Sequence, residues 1–352
     1  MKHRLKLLLR ALYSRVLFHT GLWRLVDRAM PRRLTILAGH CVDDPQVNAE
    51  LPADMKIRPQ RLERVLGYLA RRYQACTVGE GFRRLCEGPG RSLVALSMDD
   101  GYRDNHRALL PLLARAGGRA TVFLETRALD ERRLNWSHKW FWLLARSGPE
   151  ALVRSYVAAS GDAPACAKLR ALLGGGSELA YAAKRALKYD ADPADRERTL
   201  DGLFARAGGD ERALCERLYL GWDEARELHA AGVELGGHTC THAILSRLEP
   251  AAARAEVEGS RRALAREIGA EPSTFAYPFG RRWDFDDAAA RAVRESGFEV
   301  AVTTHAGTNL AGSDPLRLAR CMLDDATPLH LLATEACGGF ELLRRLGIDL
   351  SE

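Results

Sequence analysis

Three short stretches carry residue types that could do chemistry together. Residues 97–106, SMDDGYRDNH, set Asp99 and Asp100 side by side ahead of Gly101 and behind the apolar run 93–96. Two adjacent carboxylates at the end of a buried strand repel each other and resist desolvation, so their burial needs compensation. Residues 236–242, GGHTCTH, place His238 and His242 four apart. That spacing turns two imidazoles to one face of a helix or turn and suits a divalent metal with a carboxylate as third ligand. Two His and one Asp leave coordination positions open for water and substrate. The third stretch, FAYPFG at 275–280, follows another apolar run. Tyr277 before Pro278 is biased to an extended conformation, and the backbone N–H groups beyond the proline can point into a cavity. Each pattern alone is common in turns or on surfaces. Their joint occurrence at the ends of successive strands lets one cavity collect them.

The elements that must position them are legible as alternation. Short β-rich runs recur at 34–39, 92–97, 120–125, 232–237, 273–278 and 298–304. Helical patterns intervene at 61–73, 106–116, 223–231, 250–268 and 286–296, where Asp286 and Asp287 suit a helix N-terminus. Strands alternating with helices predict a parallel sheet, open or closed into a barrel, with reactive residues at the C-terminal ends of the strands. Residues 126–219 break the rhythm with helical composition, glycine clusters and no clear strand, which predicts a helical insertion. Its opening, NWSHKWFWLL, reads first as the insertion's own core, with sugar stacking on Trp136, Trp140 or Trp142 as the alternative. A further helix is predicted over 326–352.

The 352 residues are 47% hydrophobic and 28% charged, enough for a sizeable core. The net charge of +6 is a property of residues 1–33, where nine Lys/Arg face Asp27 alone, and it gives no argument for nucleic acid. In that stretch Leu5, Leu8, Leu9, Leu12 and Val16 fall at helical spacing, with Lys6, Arg10 and Arg15 breaking the apolar runs. Neither a secretory signal nor a spanning helix has this pattern. It predicts a basic amphipathic helix over 1–33, lying on an anionic membrane surface with Trp23 as anchor or docked on the protein's own core. Eight cysteines without a CxxC pair read as reduced thiols. The expected location is cytoplasmic, peripheral on the inner face of the cytoplasmic membrane.

On SMDDG, HTCTH and YPFG the chain resembles the polysaccharide deacetylases, carbohydrate esterase family four, which includes the nodulation-type chitooligosaccharide deacetylases. ILAGH at 36–40, GGRATVFL at 117–124 and GWDEARELHAAGVELGGHT at 221–239 extend the likeness to roughly 34–125 and 220–321. The resemblance implies a distorted (β/α) barrel of fewer than eight strands, over 34–125 and 220–325. It implies a divalent metal, usually zinc, held by Asp100, His238 and His242. Asp99 is then the general base toward the attacking water, and the backbone N–H of Phe279 meets the oxyanion. Tyr277, Pro278 and Trp222 are the substrate-contact candidates. Family members often carry an arginine two residues before the proline, where it contacts the base. Here that position is Ala276, so Asp99 must be oriented by something else. No Leu-x-His is visible near the C-terminus, which leaves His305 and His40 as candidates to protonate the leaving amine. Cys240 and His106 read as spectators. The implied function is removal of an N-acetyl group from an amino sugar of a glycan or lipid-linked oligosaccharide, in envelope or exported polysaccharide biosynthesis. The alternatives are deformylation of a polyprenyl-linked amino sugar and a catalytically silent glycan-binding or scaffold protein.

Overall fold

In the computed structural model the apolar runs ahead of the chemical residues are strands covered on both faces. β1 (Leu34–Gly39) and β3 (Leu93–Met98) are buried at every position, the continuous pattern that parallel strands show when helices or a barrel interior cover each side. The structure describes residues 2–348 and Leu350. Met1, Asp349, Ser351 and Glu352, which belong to the predicted segments 1–33 and 326–352, lie outside the described residues.

The remaining strands are β2 (Gln74–Cys76), β4 (Ala120–Leu124), β5 (Glu234–Gly237), β6 (Thr274–Ala276), β7 (Val300–Val302) and β8 (Cys321–Met322). All pair in parallel, in the order β7-β6-β5-β4-β3-β1-β8, with β2 set beside β3 off this path. The two ends of the path nearly meet. Leu318 donates its N–H to the Ala301 carbonyl and accepts from Thr303 N–H, both at 2.9 Å, so it lies against β7. Three residues later Cys321 pairs with Leu37 of β1. Residues 318–322 thus close a curled half-barrel, the (β/α) architecture expected, but with eight strands among the described residues where fewer were implied, because the short β2 and β8 join the sheet.

Two apolar layers hold it. Inside the curl, Leu34, Ile36, Ala95, Phe123, Ala276 and Val302 belong to one buried cluster. Outside it, Phe275, Tyr277 and Phe298 pack with Val257 and Val293 from the helices Pro250–Ile268 and Asp287–Glu295. Asp286 caps the second of these, accepting from Ala289 N–H at 2.8 Å.

The chain divides into two compact units, residues 1–44, 54–126 and 219–352 in the first and residues 45–53 and 127–218 in the second. The second is built of helices including Trp136–Ala159, Pro193–Arg206 and Glu211–Leu218. Trp136, Trp140 and Trp142 are all buried in it, and Trp142 packs on Phe204 at 4.6 Å between ring centroids. These rings are core and offer no stacking surface. Neither terminal segment is one continuous helix. Residues 2–29 form Lys2–Thr20 and Trp23–Ala29 around a left-handed Gly21, and the last segment forms Leu329–Ala336 and Gly339–Arg345 around a left-handed Gly338.

Candidate metal centre and active site

β3 ends in Asp99 and Asp100, and the chain then turns so sharply that Asp100 has φ 73° and Gly101 φ 78°. A Cβ on residue 101 would stand 2.7 Å from Leu124 Cδ2, so this turn needs a glycine. β5 leads into His238, whose Nδ1 lies 2.7 Å from the Ala276 carbonyl. A carbonyl only accepts, so Nδ1 carries the proton and Nε2 presents its lone pair. The turn that follows has Thr239 at φ 62° and His242 at φ 57°, and it swings the second imidazole to the same point. Cys240 faces away, its thiol bonded to the Glu256 carbonyl at 3.4 Å.

Both Nε2 atoms come to rest 3.3 Å from Asp100 Oδ1. That oxygen is buried and has no hydrogen-bond partner. The three groups are the one such buried grouping of ligand atoms among the described residues. Tetrahedral ligands about 2.0–2.1 Å from a zinc ion are about 3.3–3.4 Å apart, close to the spacing seen here. With neutral imidazoles, Asp99, Asp100 and Arg320 leave one negative charge in a buried space. An orphaned oxygen, two imidazole nitrogens at 3.3 Å, that of His238 with its lone pair outward, and an uncompensated charge fit a divalent cation with open coordination positions.

Asp99 has a different neighbour. Arg320, fully buried, grips both its oxygens at 2.7 Å and donates Nε–H to the Thr303 carbonyl at 2.7 Å and Nη1–H to Ser97 Oγ at 3.2 Å. Burial pushes the Asp99 pKa up, and the guanidinium more than reverses this, so the carboxylate stays ionised. The arginine therefore arrives from the closing segment 318–322 instead of from position 276. Ala276 points into the barrel interior beside Val302 and Leu318. The sequence reading missed Arg320. Its signal was a lone charge at every-other-residue spacing after Leu316 and Leu318.

Of the two acid candidates, His40 follows β1, which pairs with β3 so that Gly39 lies against Met98, one residue before Asp99; its carbonyl accepts from Asn105 Nδ2 at 3.0 Å. Asn105 opens a π-helical turn, Asn105–Leu109, of the kind often found beside functional sites. Asp104, pushed up to about 6 by burial, accepts from Val42 N–H at 2.9 Å and pins the same loop. The His305 ring instead lies near Phe285, with centroids 6.1 Å apart; its pKa is lowered by burial and by the charges of Arg317 and Arg282. Phe279 (φ 61°) stands at the cluster, its ring edge-on to His242 with centroids 4.6 Å apart and its carbonyl accepting from Thr304 Oγ1 at 2.9 Å. Pro278 is buried before it. Tyr277 corrects the sequence reading. It is 1% exposed and stacked on Phe285 at 4.1 Å in the outer apolar layer, so it has no surface for substrate. Trp222 is half-buried in the first turn of the helix Trp222–Ala230. His106 pairs with Glu227 at 2.6 Å on the helical face.

Four of the six left-handed non-glycine residues among the described residues, Asp100, Thr239, His242 and Phe279, fall in these three loops. Such conformations cost about 1–2 kcal/mol each and persist only where their surroundings fix them. For the histidine turn the fixing group is Glu256, on the helix Pro250–Ile268. Its Oε2 accepts from the N–H groups of Cys240 and Thr241, both at 2.9 Å, and its Oε1 from Thr241 Oγ1 at 2.8 Å. Glu256→Ala is expected to weaken metal affinity by about 10–100-fold, with Glu256→Gln recovering part of the loss. Chelator competition reads this, and a thermal melt separates it from general unfolding. Equal affinity in all three proteins would show that the turn holds its shape without Glu256.

Residues 181–301 match the polysaccharide deacetylase family model, a span that includes His238, His242 and the 275–280 loop but stops short of Asp99 and Asp100. No curated protein sequence matches the chain. Among solved structures, the Streptococcus pyogenes deacetylase PplD in complex with acetate aligns with TM-score 0.57 at 17% identity, over 87% of this chain and 99% of that one. IcaB from Ammonifex degensii aligns with TM-score 0.55 at 17% identity, over 88% and 98%. A de-N-acetylase from Aggregatibacter actinomycetemcomitans aligns with TM-score 0.52 at 16% identity, over 85% and 98%. At these identities the likeness is one of fold, the curled parallel half-barrel with surrounding helices.

Proposed function

We propose that this chain, whose residues 181–301 match the polysaccharide deacetylase family model, is a deacetylase of that kind, a metal-dependent hydrolase that removes an N-acetyl group from an amino sugar. The substrate we infer is a glycan or lipid-linked oligosaccharide in the synthesis of an envelope or exported polysaccharide. One observation carries the reading: Asp100, His238 and His242 converge at the strand ends beside a second carboxylate that an arginine keeps ionised. The solved structures of similar fold include proteins described as deacetylases, one of them holding acetate, which favours acetyl as the acyl group.

Asp100, His238 and His242 would hold the cation, and a nitrogen-rich donor set of this size suits zinc. When bound, such an ion polarises the acyl carbonyl and makes water acidic near neutral pH. Asp99 accepts the proton of the attacking water, and Arg320 fixes the orientation of its carboxylate. The Phe279 N–H, in the loop facing His242, meets the oxygen that gains charge as water adds. The C–N bond then breaks, and His40 delivers a proton to the leaving amine; His305 is the second candidate. The free cysteines support a reducing, cytoplasmic location as part of the same proposal.

Purified protein is expected to hold close to one zinc per chain and to release acetate from N-acetylglucosamine oligomers. His238→Ala and His242→Ala are each expected to lose the metal and the activity together. Acetate release that survives both substitutions and chelation would overturn the assignment. Formate release from an N-formyl substrate in place of acetate would move it to deformylation, and oligomer binding without release would move it to a silent binding protein.

A further inference from the structure

The helix Lys2–Thr20 has two unlike faces. One is docked: Ser14 and Leu17 are buried, Ser14 Oγ is hydrogen-bonded with His330 Nδ1 at 2.8 Å, and Tyr13 OH donates to the Gly339 carbonyl at 3.0 Å. The other face carries Leu5, Leu8, Leu9, Leu12 and Val16, with Leu8 68% and Leu12 60% exposed. Nine residues at about 100° each put Ser14 half a turn round from Leu5, so the leucine stripe lies opposite the docked face. Leu25, on the following helix, is also exposed. A monomer does not leave a stripe of five large apolar side chains in water without a partner to cover it.

Charge decides which partner. Lys6, Arg15 and Arg28 form no ion pair with an acidic group among the described residues, and Asp27, the one acid in 1–33, is held by Arg33. A second copy of this face would bring like charges together, whereas an anionic surface neutralises them. No helix of the described residues is long and apolar enough to cross a membrane.

We propose that the outward face of the helix Lys2–Thr20 binds an anionic lipid surface, lying in its interface with the leucines in the acyl boundary and the basic residues among the headgroups. The docked face ties this anchor to the helices Leu329–Ala336 and Gly339–Arg345, so the enzyme is held at the surface by a rigid attachment. The proposal stands apart from the reaction assigned above.

The test is flotation of the full chain with vesicles of phosphatidylglycerol and phosphatidylethanolamine, against vesicles of phosphatidylcholine alone. The expected result is binding to the anionic vesicles only, weakened by salt. Leu8→Glu with Leu12→Glu should lose at least about tenfold in affinity, because two leucines leave the acyl region. Lys6→Glu with Arg15→Glu should also weaken binding. Circular dichroism of each variant must match the parent, which these exposed positions predict. Absence of binding by the parent, equal binding to both vesicle types, or unchanged binding by Leu8→Glu/Leu12→Glu would overturn the proposal. So would a dimer in sedimentation that the same leucine variant dissociates, since a second copy would then cover the stripe.

Discussion

Asp99→Asn should keep its metal and lose about 10²–10⁴-fold in the rate of acyl release. The substitution preserves shape and removes only the ability to take a proton. Asp100, which does not touch Arg320, retains both imidazole neighbours, so metal content should stay near that of the parent. An amide can still accept one hydrogen bond from Arg320, yet its NH2 faces a donor where the carboxylate accepted a second, and some stability is lost as well. Comparing kcat with KM separates the two effects, since a base contributes to the reaction step and little to ground-state binding. A variant within a few-fold of the parent in kcat would remove Asp99 from the role of base.

The second large effect is on the fold. Arg320→Met leaves Asp99 buried without its counter-ion, which should cost about 3–5 kcal/mol at neutral pH. Arg320→Lys should recover only part, because an ammonium cannot grip both carboxylate oxygens as the guanidinium does. The sign with pH follows from the direction of the shift. In the parent the Asp99 pKa is depressed, so its stabilising contribution is present above the unfolded value of about 3.9 and is lost as pH falls through the folded value. In Arg320→Met the largest influence holding that pKa down is gone, and burial raises it. The ionised carboxylate then destabilises the fold, and acidification relieves it. Unfolding free energies of the two proteins, both freed of metal so that ligand protonation cancels, should converge as pH falls from 7 toward the unfolded value of about 3.9. A difference that stays constant over that range would mean Arg320 contributes packing and not charge.

What could be read from the sequence was what is local. β1 and the helix Pro250–Ile268 have the expected bounds because an unbroken apolar run and a helical repeat report directly on burial. Asp100, His238 and His242 were legible because each lies just beyond such a run. β2 and β8, of three and two residues, are too short to carry a period. Tyr277 was misassigned on residue type, although the strand alternation held the answer. Phe275 and Tyr277 share the outer layer, and Ala276 faces the interior. For Arg320 the alternation after Leu316 and Leu318 marks a buried face but not what the charge meets there. Its partner stands 221 positions earlier in the chain, and no local pattern encodes that meeting.

The closing segment gives that distance a temporal meaning. A ribosome makes Asp99 long before it makes Arg320, and through that interval the carboxylate has no guanidinium to stabilise it in a dry interior. Its counter-ion comes only with residues 318–322, the segment that also joins β7 to β1. The residue that grips Asp99 is thus part of the segment that closes the sheet, so one late stretch of chain both completes the buried ion pair and joins the sheet's two ends.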